Sequence, residues 1–273
     1  MVQKYFAGSY RRKMRDTVSK QKRVLTKGEK NVIKIMIVVA VCTLSVFAWL
    51  IYANDYYRAE PVAKKAMQGN DIVEIDKKEN YYVFHKQSEI SYVGPGDGKG
   101  IIFYPGGKVE ETAYAQLLLK LAEQGYEVYL VKMPAKLAIF GMNAAEDIME
   151  EATHIEEWTM MGHSLGGAMA ASFSAEHDAK VDQLVLLAAY STEDLKEKEI
   201  KVFSFYGSED KVLNMESYEK YYSNFPDDVV EEIIDGGNHA NYAHYGAQEG
   251  DGKAAITREE QQECVLDIFL NAQ

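Results

Sequence analysis

Residues 162–167 have the sequence Gly162-His163-Ser164-Leu165-Gly166-Gly167, and they indicate the fold more strongly than any other stretch of this chain. The four residues before them have the composition of a short buried strand, and residues 168–173 favour a helix. A serine on a sharp turn between strand and helix exposes its hydroxyl, and flanking glycines leave room where a Cβ would collide. The stretch therefore predicts a nucleophile elbow carrying Ser164, although Ser164 could also be only a small residue in a tight turn.

The motif alone is weak evidence, because a chain of this length contains one by chance about one time in ten. A carboxylate and a histidine follow it in a suitable order. Residues 201–206 alternate like a strand and end at Gly207-Ser208-Glu209-Asp210, which makes Asp210 the candidate acid. Glu209 is the alternative acid, and Asp210 could instead cap the next helix.

The candidate base is His239, which follows a short strand at 229–234 and the flexible turn Asp235-Gly236-Gly237-Asn238. His244, five residues later, is the competing imidazole. Serine, acid and histidine in this order are typical of an α/β-hydrolase, whereas other serine hydrolase folds order their triads differently.

With these motifs the chain resembles the compact α/β-hydrolases, close to the dienelactone-hydrolase-like group, over residues 71–273. The segments that carry the resemblance are 101–110 (Ile-Ile-Phe-Tyr-Pro-Gly-Gly-Lys-Val-Glu), 162–167, 206–210 and 236–239. The resemblance implies a triad of Ser164, Asp210 and His239.

Such a triad needs two backbone N–H groups to hold the negative charge that forms on the substrate oxygen. We assign them to Leu165, the residue after the nucleophile, and to Gly107, with Lys108 as the alternative to Gly107. Gly106 and Gly107 could also simply form a turn after Pro105. His163 is expected to line the elbow in a structural role.

The remaining pattern predicts an α/β-hydrolase fold, with a mostly parallel, doubly wound sheet and an antiparallel N-terminal hairpin. Only about ten residues separate the strands that end near Tyr190 and begin at Lys201, so little or no lid is expected. An open site suits a small or surface-presented acyl group. The tract 242–252 could shape the rim beside His239 or be a solvated loop.

Residues 35–52 contain no charged side chain and are predicted to form a transmembrane helix that contacts the lipid bilayer. The preceding segment, 1–34, holds eleven Lys or Arg and two acidic residues, so it is expected to be a basic cytoplasmic tail. This places the catalytic domain on the extracytoplasmic side of the cell membrane, with a single pass. A cleaved signal peptide is the competing interpretation.

Residues 53–70 are expected to be a charged connector, and 71–273 the catalytic domain. The full chain has a net charge of −12, and residues 1–34 contribute about +9, so the part after residue 34 carries about −21. This acidic charge argues against nucleic-acid partners. Of the two cysteines, Cys42 lies in the predicted membrane segment and Cys264 on the final helix, so no intrachain disulfide is expected. No metal-ligand spacing or cofactor motif is found.

The sequence thus predicts a membrane-anchored serine hydrolase that cleaves an ester, thioester or amide, with a carboxylic ester favoured. The alternatives are a tethered binding module that keeps the fold without turnover, and an acyltransferase. No motif identifies the physiological substrate, the acyl length or the oligomeric state.

Overall fold

The computed structural model describes residues 25–88 and 93–272, and the chain divides into two compact units after Tyr52. The first unit is built on helix α1, Lys27–Asn54, whose residues are all at least partly exposed to solvent. By length and composition this helix could cross a membrane, and it contains the predicted span 35–52. Residues 1–24 of the predicted basic tail lie outside the described residues.

The second unit, from Ala53 onward, is built on one eight-stranded sheet. Its strands are β1 (Val73–Lys77), β2 (Tyr81–Lys86), β3 (Lys99–Tyr104), β4 (Glu127–Val131), β5 (Glu157–His163), β6 (Gln183–Leu187), β7 (Lys201–Gly207) and β8 (Val230–Ile234). They lie in the order β1-β2-β4-β3-β5-β6-β7-β8. The β1–β2 and β2–β4 pairs are antiparallel and all others are parallel, which confirms the antiparallel hairpin on a mostly parallel sheet.

Helices cover both faces of the sheet: α2 (Pro61–Ala66), α3 (Ala115–Glu123), α4 (Ala144–Glu151), α5 (Leu165–Glu176), α6 (Met215–Tyr221) and α7 (Arg258–Asn271). Two apolar clusters result, one on each face. Successive side chains of a strand point to opposite faces, so in β3 Ile101 and Phe103 join one cluster and Ile102 and Tyr104 the other. The central strands are therefore apolar without interruption.

The segment 53–70 differs from its prediction as a separate connector, because it belongs to the same compact unit as the sheet. Ala59, Ala63 and Ala66 are buried in the cluster that also contains α3 and α7. Alanine carries little hydrophobic signal among charged neighbours, which is why the sequence pattern suggested a spacer. The compact unit that contains the sheet consequently begins near residue 53, whereas the predicted domain began at 71.

The ends of two helices are set by specific residues. The segment before α3 is a 3₁₀ turn, Glu111–Tyr114, and the chain leaves α3 at Gly125, whose φ of +99° suits only glycine. A capping box begins α7, since Thr257 and Glu260 exchange side-chain and backbone hydrogen bonds there.

Candidate active site

Ser164 lies between the last residue of β5 and the first residue of α5. Its φ of 52° and ψ of −124° fall in a region that non-glycine residues rarely adopt, so the turn holds the serine under strain. The glycines around it are needed for space. A Cβ on Gly162 would lie 2.6 Å from the backbone of Gly166, and one on Gly166 would lie 2.1 Å from the Tyr104 carbonyl oxygen. The stretch that opened the sequence analysis thus forms a strained strand-turn-helix elbow.

Asp210 and His239 meet at the carboxyl ends of β7 and β8. The Nδ1 atom of His239 donates to Oδ2 of Asp210 at 2.8 Å, and both side chains are almost completely buried. The other carboxylate oxygen of Asp210 accepts from the amides of Val212 and Leu213 at 2.8 Å each. These bonds fix the carboxylate and select the imidazole tautomer whose Nε2 is an acceptor.

Glu209, the alternative acid, makes no such contact with an imidazole. Its backbone N–H donates to the Gly237 carbonyl, and its side chain is only half-buried. The Nε2 atom of His239 is buried and has no hydrogen-bond partner within the described part of the chain. This nitrogen is therefore available to accept a proton.

Ser164 and His239 line the same cleft, which has a volume of about 270 Å³. Most of its walls are small or apolar; the other lining residues are Leu165, Ala168, Ala188, Ala189, Tyr190, Val212, Leu213 and Asn214. The segment 188–200, between β6 and β7, contains no helix that could cover the cleft. This arrangement fits the expected lack of a lid.

His244, the competing imidazole, is directed elsewhere. Its backbone N–H donates to the Ala113 carbonyl at 2.9 Å, and its carbonyl accepts from the Glu60 amide at 2.8 Å. Burial lowers the pKa of its ring below the ordinary value, and the charges near it are those of Glu259, Arg258 and Glu60. Within the described part of the chain it makes no hydrogen bond with Asp210, so the structure pairs the candidate acid with His239.

The two residues assigned to the oxyanion site are neighbours, because a Cβ on Gly107 would be 3.1 Å from Cδ2 of the Leu165 side chain. Leu165 is the first residue of α5, where backbone N–H groups lack helical partners. The amide of Gly106 donates to the Tyr114 hydroxyl and that of Lys108 to the Lys136 carbonyl. Among the described residues, the Gly107 amide has no such acceptor. Gly107 is thus better placed than Lys108 to serve as a donor.

Tyr114 and His163 form a buried link that the sequence analysis missed. The Tyr114 hydroxyl accepts from Gly106 at 2.9 Å and lies 2.8 Å from Nδ1 of His163. The His163 ring in turn packs against that of His239, with 4.6 Å between centroids. A tyrosine on the apolar face of a helix looks like core packing, so nothing in the sequence distinguished it.

Burial also determines the protonation states of Tyr114 and His163. Burial raises the pKa of the Tyr114 hydroxyl, so it keeps its proton and can donate to His163. Burial is the largest cause that holds the pKa of His163 well below its ordinary value, and the charge of the neighbouring His239 lowers it further. A hydrogen bond with the His239 backbone raises the pKa again, but only in part. His163 is therefore neutral and accepts at Nδ1.

Asp251 joins the loops that carry the acid and the base. Its carboxylate accepts from the amides of His239 (3.3 Å), Ala240 (2.9 Å), Lys211 (3.3 Å) and Gly252 (2.8 Å). The tract 242–252 therefore contributes a scaffold behind the site through Asp251. The glycines around Asp251 gave only a weak indication of this in the sequence.

Comparison with known proteins bears on the fold of this chain. The solved structures that resemble it include a predicted CIB-like hydrolase from Thermoplasma acidophilum (17% identity, TM-score 0.54, covering 73% of this chain and 99% of that one) and the carboxylesterase CesB from Bacillus subtilis (10%, 0.53, 82% and 98%). At these identities the likeness shows the fold alone. No curated protein sequence matches. Residues 100–263, more than half of the chain, match the model of the alpha/beta hydrolase family, without distinguishing the dienelactone-hydrolase-like group, and the chain therefore belongs to the alpha/beta hydrolase family.

Proposed function

We propose that this protein is a membrane-anchored serine hydrolase that cleaves a carboxylic ester through an acyl-enzyme on Ser164. Thioesters and amides share the same chemistry and are the other substrate classes. The observation that carries the proposal is the 2.8 Å hydrogen bond between Asp210 and His239, because His239 shares a cleft with a strained serine.

In this mechanism His239 takes the Ser164 proton at Nε2 while the serine oxygen attacks the substrate carbonyl carbon. Asp210 holds the tautomer that leaves Nε2 free and stabilises the imidazolium that forms. The imidazolium then returns its proton to the leaving group. In the second half of the cycle, His239 takes a proton from a water that attacks the acyl carbon. The imidazolium then gives this proton to the Ser164 oxygen as the bond to the acyl group breaks.

The carbonyl oxygen gains negative charge in both halves of the cycle. The amides of Leu165 and Gly107 are the proposed donors to it, and the amino end of α5 adds a favourable dipole. Fixed backbone donors stabilise this charge well, because they need no reorganisation during the reaction.

The cleft favours a short acyl group. Its volume of about 270 Å³ is below the range of roughly 300–1,000 Å³ that is usual for drug-sized ligands. Leu165, Val212 and Leu213 give it an apolar wall. The described segment 188–200 contains no helix, so the leaving group is proposed to remain in solvent. We expect p-nitrophenyl esters of short chain length to be turned over faster than those of long chain length.

The helix α1 is the proposed anchor, and the acidic unit from residue 53 onward is proposed to lie outside the cytoplasm. A reporter that functions only outside the cytoplasm should therefore be active when it is fused after Gln273. A reporter active only in the cytoplasm would reverse the orientation.

A fluorophosphonate probe tests the enzyme assignment directly, since it reacts with activated serines. The full chain in detergent should be labelled at Ser164, and Ser164→Ala should lose both labelling and ester hydrolysis. Ser223→Ala, which removes an exposed serine, should keep both.

If the folded wild-type protein is not labelled, the chain is a binding module on a hydrolase fold. If acyl groups pass to an added alcohol in preference to water, the protein is an acyltransferase.

A further inference from the structure

The segment that follows α1 contacts the loop that contains Gly107. Tyr57 forms a parallel bridge with Val109: its N–H donates to the Lys108 carbonyl at 2.8 Å, and its carbonyl accepts from the Glu110 amide at 2.9 Å. Two residues later, the Ala59 amide donates to Oε2 of Glu110 at 2.9 Å. Tyr57 lies outside residues 100–263, the part that matches the family.

The same segment also contacts the loop on the His239 side of the site. The Tyr57 hydroxyl accepts from the Glu249 amide at 3.1 Å, and its ring packs against Tyr245 with 5.4 Å between centroids. The Glu60 amide donates to the carbonyl of His244 at 2.8 Å. Residues 57–60 therefore join the loop after β3 to the loop after β8.

The hydrogen bonds around Val109 affect the direction in which the Gly107 N–H points. The Val109 amide donates to the Gly106 carbonyl at 3.3 Å. A trans peptide is planar, so its C=O and the following N–H point in opposite directions. Holding the Gly106 carbonyl toward Val109 therefore turns the Gly107 N–H away from Val109. The Tyr57 bridge flanks Val109 on both sides, through Lys108 and Glu110.

We propose that residues 57–60 are a positioning element of the oxyanion site, which fixes the Gly107 amide through the Tyr57–Val109 bridge. This inference rests on the proposed function, in which Gly107 is an oxyanion donor. Tyr57 does not touch the reacting atoms and acts only through residues 106–110. The segment next to the proposed membrane anchor is then required for turnover.

The test uses proline substitutions in the full chain, purified in detergent. Tyr57→Pro removes the N–H that donates to Lys108 while keeping an extended backbone, which proline tolerates at a strand edge. Arg58→Pro is the matched control. In an extended segment successive residues face opposite sides, so the Arg58 N–H points away from Val109. Among the described residues it donates to no backbone carbonyl.

Loss of one oxyanion donor lowers kcat by about 10²- to 10³-fold, so misalignment of one in Tyr57→Pro should lower kcat by roughly ten- to a hundredfold. KM and the midpoint of the pH profile should not change, because the residues that line the cleft are the same. Tyr57→Pro also loses the side-chain contacts with Glu249 and Tyr245, so Tyr57→Ala, which loses only those contacts, should keep a kcat well above that of Tyr57→Pro. Arg58→Pro should stay within about twofold of wild type. Wild-type kcat in Tyr57→Pro would overturn the proposal.

Hydrogen exchange of the peptide spanning 105–114 gives a readout that does not depend on activity. Tyr57→Pro should exchange faster there than Arg58→Pro, and equal protection in the two variants would overturn the inference even if the enzyme assignment holds. Conversely, absence of Ser164 labelling in the wild type would remove the proposed function while exchange still reports on the bridge. If Tyr57→Pro does not fold, Glu110→Ala, which removes the acceptor for Ala59, is measured in the same way.

Discussion

At the scale of single residues, the hydroxyl of Tyr114 connects the two halves of the candidate site. It holds the amide of Gly106, next to the proposed donor Gly107, and it reaches His163, which packs on His239. Tyr114→Phe keeps the ring and removes only this oxygen. Two buried polar groups then lose their partner, which costs about 1–3 kcal/mol of stability for each group left unsatisfied.

We expect Tyr114→Phe to lower kcat by about tenfold or more, with a smaller change in KM, because the oxyanion loop loses a fixed point. The control is Tyr126→Phe, whose buried hydroxyl has no hydrogen-bond partner among the described residues and should leave kcat within about twofold. Steady-state kinetics well below the melting temperature provide the measurement. An unchanged kcat with reduced stability would limit Tyr114 to a structural role.

The neutral state of His163 predicts how stability depends on pH. Its pKa in the folded protein is well below the ordinary value of 6.5, which the unfolded chain keeps. Above about pH 6.5 both states are neutral. Below it only the unfolded chain takes up the proton, so the free energy of unfolding decreases as pH falls, by up to about 1.4 kcal/mol per pH unit.

His244, whose pKa is also lowered by burial, acts in the same direction. Urea unfolding at pH 7.0 and 5.5 measures the effect, and His163→Asn should show a smaller difference between the two values than wild type. Equal stability of the wild-type protein at both pH values would contradict a buried neutral His163.

At the scale of elements, the loops after β7 and β8 are held together by Asp251. The substitution Asp251→Ala leaves the amides of Lys211, His239 and Ala240 without their acceptor. We expect kcat/KM to fall by about tenfold or more and the melting temperature to decrease, because both the acid and the base are carried by these loops. Asp235 is an exposed carboxylate just after β8, and Asp235→Ala should change neither kcat/KM nor the melting temperature. Loss of stability without loss of kcat/KM would mean that Asp251 does not align the pair.

Elements with a strong apolar period could be predicted from the sequence, and those without one could not. The strand before Ser164 and the strands at 201–207 and 230–234 lie where the sequence pattern indicated. The elbow could be predicted because its glycines are required sterically. The short helix α2 could not, since its buried residues are alanines between charged neighbours. The Tyr114–His163 link depends on a contact across 49 residues, which one sequence does not reveal.

At the scale of the whole molecule, the division of the chain after Tyr52 separates α1 from a unit in which residues 53–70 belong to the core. A protein that begins at Ala53 should therefore fold and keep the activity of the full chain. One that begins at Asp71 loses the buried methyl groups of Ala59, Ala63 and Ala66, at about 0.8 kcal/mol each, and exposes the apolar surface they cover. It also loses the bridge to Val109.

We expect the shorter protein to be less stable than the longer one by at least about 2 kcal/mol, from the three methyl groups alone. Urea unfolding of the two proteins compares the free energies directly, and the unfolding transition also shows whether the shorter one folds at all. Equal stability would place residues 53–70 outside the domain, as the charged composition first suggested. The comparison is informative because the two proteins differ only in 53–70: both lack α1, so any difference in stability arises from that segment and not from the loss of the apolar helix.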